Sequence, residues 1–165
     1  MNRKLLLFFF FTGMALTANA QPDTSLIYLR FPTVPPFSII KIPDSTRFTK
    51  ADLIHMQATL VIVFKPDCDH CQLTTKEIIK NISSFKNVQI IMASPAGYAQ
   101  LKKFYEDYDL ARYPGIVIGR DPGYFLGSFY KIRSFPAIFL YDTDANFVKA
   151  FDGSIPVIKI VEVLN

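Results

Sequence analysis

The strongest constraint on this chain is a pair of cysteines three positions apart, Cys68-Asp69-His70-Cys71, set where an apolar run gives way to a helical pattern. They are the only two cysteines in 165 residues. Upstream, residues 58–64 read Ala-Thr-Leu-Val-Ile-Val-Phe, a continuous β-branched run of the kind expected for a strand buried on both faces. Lys65-Pro66-Asp67 breaks the run and offers Asp67 as a helix cap. From Cys71 onward, apolar residues recur at Leu73, Ile78, Ile79 and Ile82, the spacing of a buried helical stripe. The pair therefore opens a helix that follows a buried strand. Cys68 falls in or just before the first turn and Cys71 one turn later, so a spacing of three carries both sulfurs to one side.

A bridge across so short a loop restrains the unfolded chain little, and an exported domain of this size could carry several bridges if stability required them. Chemistry is the better reason for the pair. The thiolate is the nucleophile of disulfide exchange, and a helix N-terminus favours it through partial positive charge and unpaired N–H donors. Cys68 is the expected attacking sulfur, and Cys71, deeper in the helix, the one that resolves the mixed disulfide. Neighbours tune the pair in opposite senses. His70, protonated or donating a hydrogen bond, stabilises a Cys68 thiolate and makes the pair more oxidising, whereas Asp67 and Asp69 oppose that thiolate by like charge. No cofactor beyond a redox-active Cys68–Cys71 disulfide is expected, and no metal.

Near the N-terminus, residues 5–16 are almost wholly apolar behind Arg3 and Lys4 and end at Ala18-Asn19-Ala20. Such a run is short of the roughly 20 residues that span a bilayer, so residues 1–20 read as a cleaved secretory signal. The expected location is therefore extracytoplasmic or periplasmic, with the mature chain soluble. The segment takes Arg3 and Lys4 with it, so the 18 basic and 14 acidic side chains of the whole chain come close to balance. With charges alternating in sign, a pI near 9.0 is no nucleic-acid signature. Aromatic residues at 15% against charged ones at 19% exclude long disorder.

Around the motif, residues 21–34 form an N-terminal extension and residues 35–165 one domain. Strands are expected at 37–42 and 47–49, a short helix capped by Thr49 at 50–56, and a buried strand at 88–93. A helix at 97–109 carries Leu101, Phe104, Tyr105 and Tyr108 on a face expected to be core. A short strand follows at 116–118, and Asp121-Pro122 then starts a short helix through Tyr130 that Gly123 and Gly127 weaken. Residues 137–141 and 147–151 form a hairpin about 142–146, and 155–164 a last helical segment. Alternating β and α units followed by a hairpin and a helix give an α/β sandwich on a mixed sheet.

This order, with CxxC opening the helix after a buried strand, resembles the thioredoxin fold over roughly residues 35–165. Pro36-Phe37-Ser38 with its hairpin-like lead-in and Leu60-Val-Ile-Val-Phe64 look like the exported TlpA/ResA-type, or redoxin, branch, which carries an N-terminal β extension. Tyr130-Lys-Ile-Arg-Ser-Phe-Pro136-Ala-Ile-Phe-Leu-Tyr-Asp142 is similar to the family segment where a cis-proline precedes the hairpin. The resemblance gives that role to Pro136 and places Phe135 beside the sulfurs, where an extended substrate chain pairs. It implies a thiol-disulfide oxidoreductase, with a slight preference for a reductase, acting on exported proteins with disulfides or thiols and fed by a membrane-bound electron donor. Three positions depart from the family: Asp67 stands where an aromatic residue is common, Ile62 replaces a buried acid, and Lys76 replaces a proline. Without the acid, Asp67, Lys65 or water must take the Cys71 proton.

Two other functions fit the same residues. A thioredoxin-like copper chaperone would use Cys68 and Cys71 with His70 or His55 as third ligand. A non-catalytic peptide-binding module would keep the fold without the exchange. A peroxidase of the peroxiredoxin kind is disfavoured, because Lys65 stands where it needs a hydroxyl three residues before the cysteine.

Overall fold

The computed structural model describes residues 26–164, so the signal reading of residues 1–20 lies outside it. Seven strands make one mixed sheet: β1 (Ser38–Lys41), β2 (Arg47–Thr49), β3 (Ala58–Val63), β4 (Val88–Ser94), β5 (Ile116–Arg120), β6 (Ala137–Tyr141) and β7 (Phe147–Asp152), in the order β2-β1-β5-β4-β3-β6-β7. The centre, β5-β4-β3, is parallel, and β6 and β7 continue it antiparallel from β3. The β1-β2 hairpin adds antiparallel to the free edge of β5, as the N-terminal β extension does in the expected architecture. Five helices join the strands: α1 (Ile27–Arg30), α2 (Asp69–Lys80), α3 (Tyr98–Asp107), α4 (Phe125–Tyr130) and α5 (Val157–Leu164).

Both faces of β3 are buried, which explains its unbroken apolar run. Leu60, Ile62 and Phe64 pack with Ile78 of α2, Leu101 and Phe104 of α3, and Val157 and Ile160 of α5. Val61 and Val63 pack on the other side with Leu126 and Tyr130 of α4, Phe37 and Val34. The sheet thus divides two cores, and the stripe on α3 is core as expected: Leu101 and Phe104 are buried, with Tyr105 and Tyr108 packed at the margin. Of residues 26–34, set apart by sequence as an extension, a part packs on the domain. Val34 is fully buried, and Tyr28 lies against the rings of Tyr130, Phe139 and Phe147.

Three local expectations are corrected. The 50–56 helix is a single 3-10 turn, Lys50–Asp52, because Thr49 and Asp52 cap each other reciprocally and Leu53 is already extended. On α2 the buried face is Cys71, Thr74, Thr75 and Ile78, whereas Leu73 is 52% exposed. Positions 71, 74, 75 and 78 follow the helical period, and position 73 lies about 100° to 160° away from them around the axis. Helix α4 begins only at Phe125, where the buried Asp121 carboxylate accepts the Phe125 and Leu126 N–H groups at 3.0 and 2.9 Å. A Cβ at its Gly127 would stand 2.0 Å from the ring of the half-buried Tyr124, so a larger residue there would displace that ring.

The second core holds a polar pair, Tyr130 and Tyr141, whose hydroxyls lie 2.6 Å apart. Burial is the first cause that raises both phenol pKa values. Tyr141→Phe leaves the enclosed Tyr130 hydroxyl without that partner and is expected to cost about 1–3 kcal/mol in urea unfolding. The double Phe variant is expected to recover most of the loss. Equal destabilisation by the single and the double change would contradict that account.

Candidate functional site

The site forms where β3 ends. Phe64 stays buried and its N–H bonds the Ala93 carbonyl at 3.0 Å, so the sheet holds the chain up to Lys65. A tight turn follows: the Cys68 N–H donates to the Lys65 carbonyl at 3.2 Å, and Gln72 Nε2 donates to the Pro66 carbonyl at 2.9 Å, tying the turn to α2. Asp67 does not cap this helix. Cys68 does, its sulfur accepting the Cys71 N–H at 3.4 Å. An N-cap side chain satisfies one of the free N–H groups of a helix start, and here the acceptor is the candidate nucleophile itself.

Cys68 is half-buried and Cys71 only 1% exposed, and both are free thiols. The Cys68 Sγ–H donates to the Phe135 carbonyl at 3.7 Å across a sequence separation of 67 residues. Phe135–Pro136 is a cis peptide. The tertiary structure therefore brings together Cys68, Cys71 and Phe135, which the sequence reading linked. Asp67, Asp69 and His70 are exposed around them, with Asp67 also lining a cleft between α2 and α3 with Gln72, Lys76 and Lys103.

Burial, as the largest cause, and the hydrogen bond with Cys68 push the Cys71 thiol from 9.0 up to about 12. A Lys65 backbone hydrogen bond pulls it back, and the charges of Cys68 and Asp67 push it further up. The two sulfurs are unequal, and only Cys68 is reachable. At pH 8, iodoacetamide is expected to label Cys68 and to reach Cys71 only after denaturation, as read by peptide mass spectrometry. The sign of the linkage follows. The unfolded chain loses the Cys71 proton first, so the folded dithiol keeps this stabilisation below about pH 9 and loses it as pH rises toward 12. The urea midpoint is expected to fall over that range, and less steeply in Cys71→Ala.

Sequence reasoning named Lys65 only as a proton acceptor. The structure sets its ammonium 5.1 Å from the centre of the Phe135 ring, a cation–aromatic contact beside the sulfurs. A lysine just past a buried strand gives no hint of a ring 70 positions on. Thr74 was missed as well. It is buried one turn beyond Cys71, and its hydroxyl alone among buried side-chain polar atoms of the described residues lacks a hydrogen-bond partner. His55, offered as a third copper ligand, is exposed before the start of β3, whereas the cysteines follow its end. A six-residue strand separates those ends by about 20 Å. No three His, Cys, Asp or Glu side chains among the described residues converge as a metal site, and no helix there is long and apolar enough to cross a membrane.

No protein-family model matches the chain, and no curated protein matches it. Solved structures do. DsbF of Mycobacterium tuberculosis, in mixed oxidised and reduced forms, superposes with a TM-score of 0.67 at 16% identity, over 80% of this chain and 97% of that one. A secreted disulfide oxidoreductase of Mycobacterium tuberculosis, homologous to Escherichia coli DsbE, gives 0.66 at 14% identity, over 78% and 94%. StoA of Bacillus subtilis gives 0.58 at 19% identity, over 81% and 100%. The similarity lies in the fold, and that fold is the thioredoxin fold.

Proposed function

We propose that this thioredoxin-fold chain is a thiol-disulfide oxidoreductase of the exported TlpA/ResA type, acting on exported proteins through Cys68 and Cys71. The observation that carries the reading is the inequality of the two sulfurs. Cys68 caps α2 within reach of solvent, while Cys71 lies behind it with its N–H on the Cys68 sulfur. In the reducing direction the Cys68 thiolate attacks one sulfur of a substrate disulfide. One S–S bond breaks as a mixed disulfide forms, and the leaving sulfur takes a proton. Cys71 then loses its proton and attacks Cys68, releasing the second substrate thiol and leaving a Cys68–Cys71 disulfide. Two electrons pass to the substrate, and a membrane-bound donor would return the pair to the dithiol.

The separate chain segments have separate work. The Phe135–Pro136 segment fixes the sulfur end of the substrate chain through the backbone group facing Cys68. Asp67, Asp69 and His70, exposed around the sulfurs, set the potential. Asp67 is the carboxylate whose charge acts on Cys71, which favours it as the group that receives that proton, directly or through water. Lys65 reaches the site through Phe135 instead. The N-terminal 20 residues act as the export signal. No observation favours the copper or peptide-module readings over exchange.

Equilibration of the full chain with glutathione buffers tests the direction. The reductase reading expects a potential below about −150 mV, and a value above it reverses the assignment to an oxidant. Absence of any exchange with glutathione would remove the oxidoreductase reading itself.

A further inference from the structure

One residue touches every part of the sulfur site. The Lys65 carbonyl accepts the Cys68 N–H at 3.2 Å, a backbone hydrogen bond from Lys65 acts on the Cys71 thiol, and the Lys65 ammonium stands 5.1 Å from the centre of the Phe135 ring. Phe135 packs against both cores, so the ring that carries the ammonium is itself held in place. The carbonyl of the same residue accepts the Cys68 thiol at 3.7 Å. Backbone on one side and ring on the other therefore fix a positive charge beside the sulfurs.

That charge is unspent. An ammonium has three N–H donors, and a ring face attracts the cation while offering it no hydrogen-bond acceptor. Lys65 is exposed, and among the described residues none of the ion pairs includes it. Carboxylates are close in sequence but face elsewhere. Asp67 lines the cleft between α2 and α3 with Lys76 and Lys103, and Asp69 lies on the first turn of α2. The turn from Lys65 to Cys68 thus parts the charges, with the cation over Phe135 and the anions on the side of α2. Arg133, exposed two residues before Phe135, adds to the positive side, and His70, exposed on α2, belongs to the other.

We infer that Lys65 determines substrate specificity: its ammonium takes an Asp or Glu carboxylate of the substrate protein two residues from the reactive cysteine, on the flank that lies over Phe135. Residues two apart in an extended chain point to the same face and stand about 7 Å apart. A cysteine turned toward Cys68 therefore turns that neighbour toward the protein as well. The inference rests on the thiol-exchange reading and adds a charge preference to it.

The test uses the full reduced chain and disulfide-linked dimers of an otherwise neutral peptide, so that every attack meets the same sulfur. The peptides carry Glu or Lys two residues before, or two residues after, the cysteine. On one flank wild type is expected to reduce the Glu dimer about tenfold faster than the Lys dimer, as kcat/KM, the scale of attraction against repulsion at an exposed pair. Salt at about 0.5 M is expected to shrink that ratio to about threefold or less. Lys65→Glu is expected to invert the order on that flank alone, and Lys65→Arg to keep it. Each ratio is taken within one variant, so a change in the reactivity of the sulfurs cancels. A Glu preference on neither flank, or one that survives Lys65→Glu, would overturn the inference while leaving exchange standing. Peptides with Ser in place of cysteine read the contact without chemistry, and wild type is expected to bind the Glu form more tightly, with the order reversed in Lys65→Glu. If exchange is absent and this binding order present, the oxidoreductase reading fails and the Lys65 subsite stands; if both are absent, both fail.

Discussion

Cys71→Ser is expected to turn the protein into a trap: incubated with exported proteins, it accumulates mixed disulfides at Cys68 that survive non-reducing electrophoresis and disappear with dithiothreitol. The reason is the division of labour between the sulfurs. Cys68 is accessible, caps the helix and faces the Phe135 carbonyl. Cys71 is buried, with its thiol held up to about 12, and in the proposed mechanism it acts only once Cys68 is bonded to something else. Removing it leaves the first attack intact and deletes the intramolecular escape. The converse change, Cys68→Ser, is expected to reduce exchange to the rate of buffer alone, since the remaining thiol is enclosed and scarcely ionised near neutrality. Trapping by Cys68→Ser through Cys71, or full turnover by Cys71→Ser, would invert the assignment.

The largest effect on stability is expected at Phe64. Its ring is fully buried and lies 4.9 Å from that of Phe104, at the one position that joins β3 to the cysteine turn. Phe64→Ala removes that ring and leaves a cavity beneath Lys65, a loss of about 3–5 kcal/mol. Against a total of roughly 5–15 kcal/mol this is about a fifth of the whole or more. For a chain of this length it lowers the melting temperature by on the order of 10 °C. Phe31→Ala, at a ring 61% exposed, is expected to stay within about 0.5 kcal/mol. Urea unfolding of the two variants side by side makes the comparison, and a similar loss at both positions would refute the packing argument.

The placement of the CxxC pair was legible because it depends on neighbours in sequence. A run of β-branched residues, a Pro-Asp break and a helical spacing are local signals, and β3, the turn and α2 follow from them. The same holds for the two hairpins and for the alternation of β4, α3 and β5. Local signals also misled. Leu73 was counted in the buried stripe because it is apolar, yet α2 buries Thr74 and Thr75 instead, since the face a helix buries is fixed by the sheet beneath it. Asp67 looks like a cap by residue type, but the turn from Lys65 to Cys68 leaves the cysteine at the capping position.

By itself, then, the sequence determined the order of elements and the placement of the cysteine pair at the end of a buried strand, because hydrophobic period, breakers and cysteine spacing act over a turn or a strand. Only the tertiary structure decided which sulfur is enclosed, that Phe135 receives the Cys68 thiol, and that Lys65 covers the Phe135 ring. Each of those depends on contacts between segments tens of residues apart. Sheet order and the burial of helix faces set such contacts, and no short-range pattern along the chain records them.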